Sequence, residues 1–124
     1  MTISLEERQQ AARGSVGSLL ATTVAILWAR LWRAKLRYDP ATQLVVATGM
    51  VSGFARAGTT VGGVFLTRRE PSAALLRHEA VHADQWARHG LTFPVRYLVE
   101  EVGRPGRMNR FEVEAGLKDG GYPQ

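Results

Sequence analysis

Apolar residues recur at helical spacing in two stretches of the chain, and short β-rich runs lie between them. In the stretch 18–34 the large apolar residues fall three and four positions apart, which predicts an amphipathic helix. The stretch 73–89 repeats that spacing. The runs 35–38, 43–48 and 63–67 are flanked by turn-forming residues, which is typical of strands. The stripe of the first stretch consists of Leu20, Val24, Leu27, Trp28, Leu31 and Trp32.

Start and stop signals set the boundaries of the helices. Ser4 and Glu7 fit a capping box, which predicts a helix over 5–12. Pro71 suits the first turn of a helix and Gly90 suits the position after its end. We therefore expect one uninterrupted helix between them.

Shorter elements are predicted in the Gly-rich middle of the chain and near its C-terminal end. We expect an irregular strand at 51–55 and a turn at 57–58. Helices are expected at 95–102 and at 109–118, the latter ended by Gly120 and Gly121. The first of these two should turn Tyr97, Leu98 and Val102 inward.

These elements predict one α+β domain over 1–124, since 124 residues suffice for a single core. It would comprise an N-terminal helical region at 1–35, a sheet at 36–67 and helices at 71–121. The sheet is expected to be small, twisted and mainly antiparallel, with about three or four strands.

The composition excludes some kinds of site. The chain has no Cys, so disulfides and thiolate metal sites are ruled out. Its net charge of +5 favours acidic partners, but charge alone is weak ground for nucleic-acid binding, which we do not expect. The uncharged run 16–29 is shorter than the roughly 20 residues that span a bilayer, and no signal-peptide pattern precedes a cleavage site. A cytoplasmic location is favoured, with peripheral membrane association left open.

The end of the first long helix is basic, with Arg30, Arg33, Lys35 and Arg37 close together. One interpretation is a helix that binds a membrane surface or an acidic partner, with Trp28 and Trp32 at the interface. The other, which we favour, is a scaffold helix that packs its apolar stripe on the sheet, its cations complementing the helix dipole.

The second long helix carries a His-Glu-x-x-His motif, formed by His78, Glu79 and His82. Residues four apart share one face of a helix, so both imidazoles can point at one ion. Glu79 lies about 100° further round, where a carboxylate can take a proton from water activated by the metal. Two His and a Glu in this arrangement are typical of metallopeptidases.

A zinc site of this kind needs a third protein ligand. His89 is a poor candidate, because it lies about 16 Å along the helix from His78. Glu112 and Glu114 are better, and since their side chains diverge by about 160° only one can face the metal. Glu112 has an alternative role, in a capping box with Asn109.

The role of Gln85 is open: it faces the same way as His82, one turn further on, and either contacts substrate or ties the helix to a loop. Trp86 and Phe111 are expected in the core rather than in a substrate pocket.

The motif, followed downstream by Glu112-Val113-Glu114-Ala115, resembles the gluzincin metallopeptidases, and most of all their small minigluzincin-type domains. The resemblance covers about 61–121. It implies a zincin-like fold in which His78, His82 and Glu112 hold Zn²⁺ and Glu79 acts as general base and acid. It also implies an edge strand above the metal helix, matched by 63–67, to which an extended peptide would add.

The sequence departs from the gluzincin pattern at the aspartate that supports a ligand His, because Gly116 occupies that position. Asp119 is a candidate substitute. No residue stands out as the oxyanion stabiliser, for which Tyr97, Tyr122 and Arg110 are candidates.

The function expected is zinc-dependent hydrolysis of a peptide bond, with a peptide or protein as substrate. The alternative is a metal-stabilised binding module without turnover, docked on a protein partner or a membrane surface. The intact Glu79 favours the enzyme, whereas the missing aspartate favours the module.

Overall fold

Helices flank a four-stranded sheet in the computed structural model, which describes residues 2–117 and 119–121. The α+β fold class is therefore confirmed. The elements are α1 (Leu5–Ala11), α2 (Val16–Leu31), β1 (Lys35–Asp39), β2 (Leu44–Thr48), β3 (Gly58–Val61), β4 (Val64–Thr67), α3 (Ala73–His89), α4 (Phe93–Gly103) and α5 (Arg110–Ala115), with 3₁₀ turns at Gly90–Thr92 and Gly106–Met108.

The sheet has the strand order β1-β2-β4-β3. The pairs β1–β2 and β3–β4 are antiparallel, as expected of a mainly antiparallel sheet, and β2–β4 is parallel. Side chains of the central strands alternate between two apolar clusters. Val45 and Ala47 pack with α2, whereas Leu44 and Val46 pack with α3. The sheet thus lies between these two clusters, although α2 also contacts the helix that carries the motif directly, through Ala21 and Trp86.

Two expectations for the strands are wrong. Residues 51–55 form bends and not the irregular strand expected there. The third strand is β3, which begins at Gly58, inside the turn expected at 57–58. The run 63–67 forms the interior strand β4, so the edge strand on this side is β3. The cause is a two-residue hairpin at Gly62-Gly63, in which Gly62 has φ 59°. This hairpin folds polar Thr59 and Thr60 outside the apolar β4.

α2 packs on the sheet as the scaffold interpretation predicts, but through the opposite face. The small residues Ala21, Ala25 and Ala29 are buried with Ile26. The predicted stripe faces outward, with Leu31 74% exposed. Small side chains let the helix approach closely enough for the Thr22 hydroxyl to accept a hydrogen bond from the Gly63 N–H at 2.9 Å. Close approach thus decides which face is buried.

The C-terminal helices differ from expectation in their packing and length. Leu98 and Val102 are 61% and 87% exposed, not inward, and only Tyr97 of the three is partly buried. α4 packs through its first turn, where Phe93 contacts Trp86. α5 ends at Ala115, because Gly116 with φ 96° leaves the helix, and the predicted end at 118 lies outside the described residues.

No single helix among the described residues has the length and apolar character needed to cross a membrane.

Candidate metal centre

α3 places both motif histidines on its buried face. The Ser72 side chain caps its first turn by accepting from the Leu75 N–H at 3.1 Å, and Gly90 with φ 62° ends it. His78, Glu79 and His82 are all buried, and their ligand-type atoms lie within 4.8 Å of one another. This group could hold a metal ion.

Glu112 of α5 approaches the two histidines more closely than Glu79 does. Its Oε1 lies 2.9 Å from His78 Nε2 and 3.1 Å from His82 Nε2. The two Nε2 atoms are 3.1 Å apart. The three atoms form a nearly equilateral triangle, with one corner from a second helix.

Glu112 does not form the capping box considered for it. Asn109 caps α5 by accepting from the Phe111 N–H at 2.9 Å, but the Asn109 N–H donates to the Gly106 carbonyl at 3.1 Å and not to Glu112. The Tyr97 hydroxyl donates to Oε2 of Glu112. This contact leaves the other oxygen, Oε1, to face the histidines.

Hydrogen bonds fix the protonation of both imidazoles. His78 Nδ1 donates to the Gly116 carbonyl at 2.7 Å, and His82 Nδ1 donates to Gln85 Oε1 at 2.8 Å. The Gln85 amide is oriented by its NH₂ group, which donates to the Phe111 carbonyl at 3.0 Å and to Glu114 at 2.8 Å. The neutral imidazoles therefore carry hydrogen on Nδ1 and a lone pair on Nε2.

Two lone pairs and a carboxylate oxygen about 3 Å apart, as measured above, repel one another unless a cation lies among them. The pKa shifts of the three residues also indicate that a positive charge among them is favourable. Burial lowers the pKa of His78 and His82, but their contacts with Glu112 outweigh it and raise both. Burial raises the pKa of Glu112, but the hydrogen bonds from His78 and His82 outweigh it and hold that pKa well below its usual range. The cluster therefore binds either protons or, in place of those protons, a metal ion.

The donor set and its spacing fit zinc. Zn²⁺ takes N and O ligands at about 2.0–2.2 Å, which places neighbouring tetrahedral ligands about 3.3 Å apart. The observed separations of 2.9–3.1 Å are close to this value. The same cleft, of about 580 Å³, is lined by His78, Glu79, His82 and Glu112. An ion held here would have an open side, as catalytic sites require.

Glu79 stands beside the triangle. Its Oε1 lies 3.9 Å from His78 Nε2, and its Oε2 accepts from the Thr60 hydroxyl of β3 at 2.7 Å. Burial raises its pKa, against the nearby charge of His82. Its position suits a base beside the ion better than a ligand of it.

The structure places the remaining candidates in supporting roles or away from the site. Gln85 ties α3 to another element, as in the second of the two roles considered, but that element is the helix α5 and not a loop. Glu114 is exposed and pairs with Arg88 at 3.4 Å, so it does not face the histidines. Asp119 pairs with Arg77 at 3.4 Å and not with a ligand histidine.

Other expectations are settled for the described residues. Arg110 is exposed and pairs with Glu100 at 3.1 Å, while Tyr122 lies outside those residues. Trp86 is buried, as expected, and also lines the cleft. His89 stacks on Phe93 with ring centres 6.1 Å apart.

Three supporting groups had no signal in the sequence. The Gly116 carbonyl accepts a hydrogen bond from His78 Nδ1 and so orients this imidazole. Gly120 lies so close to His78 that an added Cβ would sit 2.4 Å from its Cε1. Thr60 holds Glu79, but its strand was misplaced in the prediction.

Comparisons of the chain with protein-family models, with curated proteins and with solved structures found no match. The likeness to gluzincins therefore rests on the His-Glu-x-x-His group alone, which the fold brings together in a buried position.

Proposed function

We propose that the protein is a zinc-dependent hydrolase that cleaves peptide bonds. The observation that carries the proposal is the triangle of His78 Nε2, His82 Nε2 and Glu112 Oε1, three metal-binding atoms whose tautomers leave no proton of the neutral side chains between them. A base, Glu79, lies beside this triangle in an open cleft.

When bound, Zn²⁺ would acidify a water molecule and polarise the scissile carbonyl. Glu79 would take the proton of the attacking water and pass it to the leaving amine. Its raised pKa suits both halves of this transfer. Thr60 keeps the carboxylate pointed into the cleft. Tyr97 lines the cleft and would act on the substrate only by giving up its bond to Glu112.

The edge strand β3 supplies a place for the substrate backbone. Residues 55–61, which are β3 and the three residues before it, line the cleft. An extended peptide can add to an edge strand by main-chain hydrogen bonds. The cleft also has an apolar wall, formed by Phe93 and by Trp86, whose Nε1–H donates to the Thr60 carbonyl of β3 at 3.0 Å. The substrate class is therefore an extended peptide with apolar side chains near the cleaved bond.

Metal analysis of purified wild type, His82→Ala, Glu112→Gln and Glu79→Gln, with a peptide-library cleavage assay on each, tests the proposal. Wild type and Glu79→Gln should hold about one zinc per chain, and both ligand variants much less. Cleavage should occur only in wild type.

Two results would contradict this function. Failure of wild type to bind zinc, even when zinc is supplied, would show that no metal centre forms. Zinc binding without cleavage of any peptide identifies a metal-stabilised module instead.

A further inference from the structure

The outward stripe of α2 forms an apolar surface. We call this set the outer face: Leu20, Val24, Leu27, Trp28, Leu31 and Trp32, with exposures from 36% to 74%. A surface helix normally turns its large apolar residues toward the core, whereas here alanines take that place. Contiguous apolar surfaces of this kind mark sites of interaction.

Cations border the outer face at one end of the molecule. Arg30 and Arg33 are exposed at the end of α2, and Lys35 starts β1. Arg68 and Arg69 lie at the same end of the sheet, because Lys35 pairs with Thr48 and the following Gly49 N–H donates to the Arg68 carbonyl at 2.9 Å. We call these five cations the basic end.

No acidic group balances the basic end within the described part of the chain. None of its five members has a carboxylate within 4.0 Å there. The sequence from Arg8 to Tyr38 contains no Asp or Glu. A partner of this surface must therefore supply the negative charge.

Two tryptophans lie where the apolar and basic surfaces meet. Trp28 and Trp32 pack edge to face with ring centres 6.0 Å apart. The Trp28 N–H donates to the Gly53 carbonyl at 2.8 Å, which fixes that ring while leaving it partly exposed. Amphipathic aromatic rings beside cations are typical of helices that lie in a membrane interface.

We propose that the outer face docks on an anionic lipid bilayer, with α2 parallel to the membrane and the basic end against the headgroups. The exposed apolar side chains of α2 and the cations at its end, which have no carboxylate partner among the described residues, supply the two kinds of contact that such an interface offers. A second copy of the chain fits less well, because its α2 offers no acidic residue to the basic end. Docking does not rest on the proposed hydrolysis.

The position of the docked surface orients the cleft. A groove of about 420 Å³ lies between Val24 and Trp28 of α2 and Val61 of β3. It shares Ala55, Thr59 and Val61 with the metal cleft. The cleft would therefore open beside the bilayer.

Co-sedimentation of the full chain with vesicles tests the proposal. The vesicles are phosphatidylcholine alone or with about one-third phosphatidylglycerol. Wild type should bind the anionic vesicles, and removal of each basic-end cation should weaken binding about fivefold. Leu27→Gln with Leu31→Gln should weaken it at least about tenfold. The matched control is Val99→Gln with Val102→Gln, comparably exposed on α4, which should bind as wild type does.

Each other outcome overturns the proposal. Wild type that stays in the supernatant with anionic vesicles has no membrane-docking surface. An equal loss of vesicle binding in the α2 and α4 double variants would show that binding is not specific to α2. A wild-type dimer that the Leu27 and Leu31 substitutions convert to a monomer, without vesicle binding by either, assigns the outer face to self-association. Unchanged zinc content and melting temperature in each variant show that the fold is intact.

Discussion

Replacement of Gln85 by Met should weaken zinc binding through a residue that does not touch the ion. Gln85 is completely buried, with 0% exposure. Its side chain accepts from His82 and donates to the Phe111 carbonyl and to Glu114. Met fills a similar volume but makes none of these bonds, so His82 Nδ1 and the Phe111 carbonyl lose their partners.

The magnitude follows from those two buried groups. Each unsatisfied group costs about 1–3 kcal/mol, whereas exposed Glu114 regains water. The free energy of unfolding of the metal-free protein should fall by about 2–6 kcal/mol. Because His82 also loses the contact that fixes its tautomer, zinc affinity should fall about 10- to 100-fold. Urea unfolding with a chelator present measures the first quantity, and competition with a chromophoric chelator measures the second.

Thr22→Val is the matched control. It removes a buried hydrogen bond between α2 and the β3–β4 hairpin, donated by the Gly63 N–H, and not a bond of the metal centre. It should lower stability by about 1–3 kcal/mol and leave zinc affinity unchanged. Wild-type zinc affinity in Gln85→Met, or an equal loss of affinity in both variants, would refute the assigned role of Gln85.

Three further predictions concern the same centre. Gly120→Ala places a Cβ 2.4 Å from the His78 ring, so zinc affinity and melting temperature should both fall. Gly103→Ala, at the end of α4 with nothing within 4 Å, should leave zinc affinity unchanged and should not lower the melting temperature; equal melting temperatures of Gly120→Ala and wild type would contradict the close contact. Tyr97→Phe removes the donor to Oε2 of Glu112 and should weaken zinc binding about tenfold; a much larger loss in kcat at saturating zinc would instead assign Tyr97 to the substrate. The metal-free protein should owe most stability to the cluster between about pH 4.5 and 6.5. The pKa of His78 and that of His82 are raised in the folded protein, so their contribution to stability is complete below pH 6.5 and is lost as pH rises through the folded-state pKa. The pKa of Glu112 is lowered, so its contribution to stability is complete above pH 4.5 and is lost as pH falls through its folded-state pKa. The excess melting temperature of wild type over Glu112→Gln, in chelator, should therefore decline above pH 6.5, and a rise there would contradict the assignment.

The metal helix could be predicted from the sequence because its signals are local. Gly90 ends it as predicted, and the spacing of His78 and His82 places both on one face. Pro71 marks the start to within two residues, because it precedes the capping residue Ser72 and does not lie in the first turn. The approach of Glu112 is not local, since it comes from a helix about 30 residues away. Its expected role came from the resemblance to gluzincins, and the fold places its oxygen against both histidines.

The face that α2 buries could not be predicted from hydrophobicity. One side carries leucines and tryptophans and the other alanines, and pattern alone favours burying the larger side chains. The structure buries the alanines because the Gly62-Gly63 hairpin comes within hydrogen-bonding distance of the helix. Likewise, a carbonyl such as that of Gly116 has no side chain through which a sequence could indicate its role.

An ion shared by His82 and Glu112 would act as a cross-link. These residues are 30 positions apart, and everything between them, including α4, lies inside the closed loop. A covalent link around a loop of that size removes about 3–4 kcal/mol of conformational entropy from the unfolded chain. Withdrawing the ion would lift this constraint from the unfolded chain and so favour unfolding of the segment that contains α4, whose outward side chains are largely apolar. The supply of metal would thus set how readily the C-terminal third of the domain unfolds.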